Sequence, residues 1–142
     1  MSLVTLIAFD FGTKRIGVAV GQTITCSANP LETISANKGD PDWSKVDKLI
    51  KTWKPDGLIV GVPLNMDGSV QPLSFLAEEF SNKLKKRYSL EVIGVDERLS
   101  TVDARDKIFQ KGGFKALKKG NIDSVAAQLI LQNWLIQQDN NN

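Results

Sequence analysis

The sequence predicts an α/β fold: a mixed sheet of three antiparallel strands followed by two parallel strands, flanked by helices. Two apolar runs near the start, residues 3–10 and 16–20, are joined by a turn too short for a crossover, so they must pair antiparallel. Later apolar runs alternate with segments of helical periodicity, which is typical of parallel strands joined by right-handed crossovers. The 142 residues, 42% of them hydrophobic, suffice for one domain with its own core.

The elements are expected in the following order. A third, weaker strand at residues 31–34 and a loop at 37–42 come after the first two strands. Helical spacing or continuous apolar runs then predict a helix at 42–53, a strand at 58–62, a helix at 73–84, a strand at 90–95 and helices at 100–111 and 122–136. The last helix is apolar nearly all round at its start, so we expect it to pack closely on the sheet. The domain is expected to span residues 1–138, with a disordered tail at 139–142.

The composition excludes several classes of site. The chain has no histidine, which removes the commonest general base and the commonest zinc ligand, so a Ser-His-Asp or Cys-His site is impossible. Its single cysteine, Cys26, cannot form an intrachain disulfide, which fits a reducing, cytoplasmic compartment. No run of 18 apolar residues is present, so no membrane span is predicted. Hydrolytic chemistry must therefore come from carboxylates, lysine, tyrosine or a metal.

The basic residues are more informative in their distribution than in their number. Eighteen basic and sixteen acidic residues leave a net charge of only +2. Lysines cluster without an acidic residue between positions 107 and 121, where Lys118 and Lys119 are adjacent, and a second basic cluster lies at 83–87. Each cluster is either a solvated surface or a contact for nucleic-acid phosphates, and the sequence leaves both interpretations open.

Carboxylates stand at three points where chain segments are expected to converge. Asp10 ends the first strand, Asp96 and Glu97 end the fifth, and Asp123 opens the last helix. Each alone has an ordinary explanation, such as a hydrogen bond to a turn, a surface ion pair or a favourable charge at a helix N-terminus. Together they offer hard oxygen ligands without His or Cys, which selects Mg²⁺ or Mn²⁺. Two such ions can activate water and stabilise the leaving oxygen in phosphodiester cleavage.

Four segments, in order along nearly the whole chain, resemble the YqgF (RuvX) family. They are Asp-Phe-Gly-Thr-Lys-Arg-Ile-Gly-Val-Ala-Val at 10–20, Gly-Val-Pro-Leu-Asn-Met-Asp-Gly at 61–68, Asp-Glu-Arg-Leu-Ser-Thr at 96–101, and Asp-Ser-Val-Ala-Ala at 123–127 with Ile-Leu-Gln at 130–132. The chain departs from the family pattern at Gly21-Gln22, where a small residue followed by an acidic one is expected. That departure removes none of the three main carboxylates.

The resemblance implies an RNase H-like nuclease domain related to the RuvC Holliday junction resolvases. It implies a hydrolase of nucleic-acid backbones that processes the 5′ end of pre-16S rRNA, with Holliday junction resolution as the alternative. Its partners would be pre-rRNA or branched DNA, and ribosomal particles. Carried over by motif, the catalytic and metal-binding residues are Asp10, Glu97 and Asp123, which would hold two Mg²⁺ or Mn²⁺ ions.

Other charged residues of the motifs have two interpretations each. Lys14 and Arg15 either contact phosphate, as Lys118 and Lys119 would, or form no more than a basic hairpin turn. Asp67 is either a further metal ligand or the start of a turn with the glycine that follows it. We prefer the turn, with Glu97 as the ligand.

Two other functions remain open. Asp-x-Gly-Thr at a hairpin also suits an actin-like or sugar-kinase-like phosphate binder, but that architecture needs two such domains and this chain has one copy. A ribosome-assembly factor that binds nucleic acid without cleaving it would need no catalytic site. Few aromatic side chains are left to stack on bases in such a factor, because we expect Trp43, Trp53 and Trp134 to face the core.

Overall fold

Seven strands form one mixed sheet in the part of the chain that the computed structural model describes. That part comprises residues 4–63, 65, 67–96 and 122–140, with the two residues at each end of the last segment described by their backbone alone. The strands are β1 (Thr5–Asp10), β2 (Arg15–Gln22), β3 (Ser27–Pro30), β4 (Ile34–Asn37), β5 (Asp40–Pro41), β6 (Gly57–Val62) and β7 (Glu91–Asp96). The helices are α1 (Trp43–Trp53), α2 (Pro72–Tyr88) and α3 (Ile122–Asn140).

The strand order confirms the predicted fold class. The path across the sheet is β5-β4-β2-β1-β6-β7, and β3 lies beside β2 as well. β1 and β2 are antiparallel, whereas β1, β6 and β7 are parallel to one another. The carboxyl ends of these three parallel strands therefore share one end of the sheet.

The third predicted strand is wrong in its position. Residues 31–33 connect two short strands, β3 and β4, which pair with different parts of β2. The predicted loop at 37–42 is a hairpin between β4 and β5. Lys38 and Gly39 form its turn with φ angles of 51° and 88°, the left-handed pair that tight hairpins require. The sequence did not reveal this turn because a lysine rarely adopts a positive φ.

The two faces of the sheet carry separate apolar cores. Alternate residues of β1, among them Ile7 and Phe9, pack with Phe80 of α2 and with α1 on one face. Leu6 and Ala8 point to the other face, where they pack under α3. Because side chains alternate along a strand, the same rule assigns Asp10 to the face that α3 covers.

The helices have the capping signals expected of them, with one difference in exposure. Asp42 is the N-cap of α1 and accepts a hydrogen bond from the Ser44 amide at 3.2 Å, and Lys54 ends the helix in the left-handed conformation. Trp43 and Trp134 pack against the cores. Trp53 is 41% exposed, so the prediction that all three tryptophans face the core is wrong for this one.

The end of the chain is helical for longer than predicted. α3 continues to Asn140, so two of the four residues assigned to a disordered tail belong to the helix. The helix predicted at residues 100–111 lies outside the described residues. Among the helices that the structure describes, none is both long and apolar enough to cross a membrane.

A polar cluster joins α1 to the end of α2. Asp47 accepts hydrogen bonds from Arg87 Nε at 2.8 Å, from Arg87 Nη2 at 2.7 Å and from the Tyr88 hydroxyl at 2.6 Å. The guanidinium also lies 5.0 Å from the centre of the Trp43 ring. The bonds from Arg87, and then that from Tyr88, lower the pKa of Asp47 from its ordinary 3.8 to about 2.

This cluster makes part of the stability sensitive to acid. A carboxyl whose pKa is lower in the folded chain stabilises the fold fully above the unfolded pKa, and this contribution is lost as the pH falls through the folded pKa. We therefore expect the melting temperature of the wild type to fall more steeply between pH 4 and pH 2 than that of Asp47→Asn. Arg87→Lys, which keeps the charge but not the two-pronged bond, should lie between them. Equal acid sensitivity in wild type and Asp47→Asn would contradict this assignment.

Candidate active site

Asp10 lies at the carboxyl end of β1 between two glycines. The strand register places Gly17 of β2 on one side of it and Gly61 of β6 on the other. All three residues lie on the α3 face, and Asp10 is half-buried. Because neither neighbour has a side chain, the strands beside Asp10 leave its carboxylate uncovered at this register position.

Helix α3 is tied to the same end of the sheet through Ser124. The buried Ser124 hydroxyl accepts a hydrogen bond from the Val18 amide at 3.2 Å and lies 3.1 Å from the Thr33 hydroxyl. Val18 pairs with Phe9, the residue before Asp10. The first turn of α3, which includes the backbone of Asp123, is therefore held at the same end and on the same face of the sheet as Asp10.

Close contact between α3 and β2 depends on Gly21. A Cβ atom at this position would lie 2.9 Å from Leu131 Cδ2 and 2.7 Å from the Ser27 carbonyl oxygen. Real side chains do not approach so closely, so the helix can reach this distance only over a glycine. The glycine half of the Gly21-Gln22 departure thus has a packing reason, whereas Gln22 is exposed.

Two glutamines fix the position of α3 along β3. Gln128 Nε2 donates to the Ala28 carbonyl at 2.9 Å. Gln132 accepts from the Ala28 amide at 3.1 Å through Oε1 and donates to the Cys26 carbonyl at 2.8 Å through Nε2. These anchoring residues were missed from the sequence. A signal was present, because Ser124, Gln128 and Gln132 follow one another at a spacing of four in an otherwise apolar helix.

The carboxylates at the end of β7 divide between the described and undescribed parts of the chain. Val92 packs into the core under α1 and α2, whereas Ile93 and Val95 pack under α3. This alternation places Asp96 on the face away from Asp10. Glu97 lies outside the described residues, as do Lys118 and Lys119.

Asp67 forms the predicted turn. Its carboxylate accepts hydrogen bonds from the Ser69 amide at 2.9 Å and from the Ser69 hydroxyl at 2.6 Å. The Gly68 amide donates to the Asn65 carbonyl at 2.8 Å, and Gly68 has a φ of 91°. The interpretation of Asp67 as a turn residue is confirmed.

Lys14 and Arg15 are exposed at the hairpin between β1 and β2. The Lys14 carbonyl accepts a hydrogen bond from the Ala36 amide at 2.8 Å, which holds this hairpin against β4. Arg15 begins β2, and the alternation along that strand places it on the same face as Gly17 and therefore as Asp10. The structure thus puts a cation on the face where the candidate site lies.

The predicted trio of metal ligands is only partly described. Asp10 is described in full, Asp123 by its backbone and Glu97 not at all. Among the described side chains, no three His, Cys, Asp or Glu residues form a group that could hold a metal ion. The structure therefore brings Asp10 and the start of α3 together, and the trio itself remains a prediction.

Comparison with known proteins decides the family. The family model described as "RuvX: Holliday junction resolvase" matches residues 4–137. The chain belongs to the RuvX family. The prediction from the sequence motifs is confirmed, and so is the prediction that the chain is an enzyme that hydrolyses phosphodiester bonds.

Relatives within the RuvX family match over nearly their full length. Proteins from Cronobacter sakazakii and Escherichia coli O157:H7, both named as pre-16S rRNA nucleases, are 54% and 55% identical over 133 residues. In each case the match covers 94% of this chain and 96% of the relative.

Solved structures of resolvases share the fold at low sequence identity. The RuvC protein of T. thermophilus in complex with a Holliday junction has a TM-score of 0.61 and 12% identity, with 96% of each chain covered. The fowlpox virus Holliday junction resolvase has a TM-score of 0.56 and 15% identity, with 95% of this chain and 99% of that chain covered. The RNase H-like fold predicted from the sequence is confirmed.

The Ser124 contact can be tested by its contribution to stability. Ser124→Ala leaves the Val18 amide without its buried acceptor, which we expect to cost about 1–3 kcal/mol in the free energy of unfolding by urea. Ser81→Ala is the matched control, because the Ser81 hydroxyl donates only to Ala77 within its own helix. It should cost less than about 0.5 kcal/mol. Equal losses in the two variants would show that the contact does not anchor α3.

Proposed function

We propose that this chain is a nuclease that depends on divalent metal and processes pre-16S rRNA at its 5′ end. Asp10, Glu97 and Asp123 would be its catalytic and metal-binding residues. The observation that carries the proposal is the placement of Asp10 and the first turn of α3 at one end and on one face of the sheet. Two of the three segments that supply the carboxylates are thus adjacent.

The surroundings of Asp10 fit a divalent metal. Carboxylate oxygens are the ligands that Mg²⁺ and Mn²⁺ prefer. Gly17 and Gly61 leave space beside the carboxylate that larger side chains would fill. When bound, the ions would activate water and stabilise the leaving oxygen.

The choice of Glu97 over Asp96 is supported by the described part of β7. Asp96 pairs with Val62 on the face that α1 and α2 cover, so it is directed away from Asp10. Successive residues of a strand point to opposite faces. We therefore propose Glu97 as the ligand that acts with Asp10.

The substrate is proposed from the relatives and from the positions of the basic residues. Close relatives are named as pre-16S rRNA nucleases. Arg15 lies on the face of Asp10, with Lys14 beside it in the sequence. We propose that these two residues contact substrate phosphates and that Lys118 and Lys119 contribute further contacts. The proposal includes action on ribosomal particles in the cytoplasm, a location that a single cysteine suits.

The proposed chemistry is tested by cleavage of a pre-16S rRNA 5′ fragment and a Holliday junction, each with Mn²⁺, with Mg²⁺ and with EDTA. We expect the wild type to cleave the RNA only with metal. Asp10→Asn and Glu97→Gln should each lose at least about 100-fold in rate, equivalent to about 3 kcal/mol in the activation barrier.

Asp96→Asn is the matched control for this experiment. It removes a carboxylate from the adjacent position on the opposite face, and we expect it to keep most of the activity. Full activity in Asp10→Asn would exclude the metal mechanism. Cleavage of the junction alone would favour resolution of branched DNA, and binding of RNA without cleavage would favour a non-catalytic assembly factor.

A second prediction concerns the stability of the metal-free protein. Clustered carboxylates repel one another when no cation lies between them. We expect Asp10→Asn to raise the melting temperature by about 3 °C in EDTA, and Mn²⁺ to stabilise the wild type but not this variant. Asp96→Asn should show no gain. A lower melting temperature for Asp10→Asn in EDTA would mean that this residue has a structural role.

A further inference from the structure

A groove lies between α1 and the segment that connects β3 to β4. Its volume is about 280 Å³, and its walls include Thr33 and Ile34 on one side and Lys45, Lys48, Leu49 and Trp53 on the other. Residues 31–33 form one wall because β3 and β4 pair with different parts of β2 and leave a gap along its edge. The groove is separate from the carboxylates of the candidate active site.

The walls of the groove combine an aromatic ring, an apolar side chain and two cations. Trp53 is 41% exposed at the end of α1, and Leu49 is half-buried. Lys45 and Lys48 are exposed one helical turn apart. Glu32 also lines the groove, so the two lysines leave one net positive charge. An aromatic wall with cations at its rim is the arrangement that binds a base and its flanking phosphates.

The groove is continuous with the candidate active site. Thr33 lines it, and the Thr33 hydroxyl lies 3.1 Å from Ser124, the residue after Asp123. Ile34 pairs with Ile16, next to the Gly17 that flanks Asp10. Two strand spacings, about 10 Å, therefore separate Asp10 from the wall of the groove.

We propose that this groove binds a single-stranded segment of the nucleic-acid substrate next to the cleavage site. A base would stack on Trp53, and the adjoining phosphates would lie at Lys45 and Lys48. A cavity of about 280 Å³ is at the lower end of small-molecule pockets, so it admits an unpaired base but no duplex. This inference rests on the proposed function for the identity of the substrate but not on its chemistry.

Binding is measured on the full chain in EDTA, so that cleavage plays no part. The probes are a fluorescent 12-nucleotide single-stranded RNA, the same sequence as DNA, and a blunt RNA duplex, followed by anisotropy over a range of salt. We expect both single strands to bind. Lys45→Ala with Lys48→Ala should lower the salt slope by about 1.4, which is 0.7 for each phosphate contact on a single strand.

The matched control removes two charges from the same helix outside the groove. Lys51→Ala with Lys54→Asn does so, and asparagine tolerates the positive φ of position 54. Its salt slope should equal that of the wild type. Trp53→Ala should weaken single-strand binding at least about fivefold, while Trp53→Phe, which keeps a ring, should stay within about twofold.

The outcomes separate this proposal from the proposed function. If the groove and control variants bind alike, the groove proposal is wrong even when the wild type cleaves RNA. If groove variants lose single-strand binding in a protein that never cleaves, the groove stands and the nuclease proposal fails. Preferential loss of duplex binding, or loss of self-association without any change in RNA binding, would also overturn the groove proposal.

Discussion

The arrangement of the molecule depends on how closely α3 approaches β2. An apolar helix can lie on a sheet at many offsets along the strands, and hydrophobic burial alone distinguishes poorly between them. Ser124 at one end, and Gln128 and Gln132 further along, accept or donate hydrogen bonds at defined backbone groups of β2 and β3. Gly21 allows the distance that these bonds require. The position of the helix, and with it the backbone of Asp123, follows from these polar contacts.

One irregularity in the sheet serves both regions that we associate with function. β3 and β4 leave a gap along the edge of β2, and the Val18 amide faces this gap without a strand partner. Ser124 supplies the missing acceptor. The chain that crosses the gap also supplies Thr33 to the groove beside α1. The same interruption therefore anchors the helix that carries Asp123 and forms the wall of a second binding surface.

Most of the sheet could be predicted from the sequence, because a continuous apolar run such as β1 has only one favourable environment. The hairpin at Lys38 was missed because its left-handed conformation is imposed by pairing between β4 and β5. Trp53 was assigned to the core because helical periodicity does not show where a helix outruns the surface it covers. Within the site, the location of Asp10 followed from strand order. The opposite orientation of Asp96 required the register of β7, which no single-sequence pattern gives to the residue.

The two glutamines of α3 have a consequence for the behaviour of the protein in solution. Ala28 directs its amide and carbonyl groups to the outer side of β3, where they would otherwise form the open edge of a sheet. Both groups are taken by Gln132 and Gln128. An open edge invites a strand from another molecule, and sheets with one are prone to associate edge to edge. Here two side chains occupy the hydrogen-bonding positions of an intruding strand, so the helix that brings Asp123 to the site also protects the sheet from aggregation.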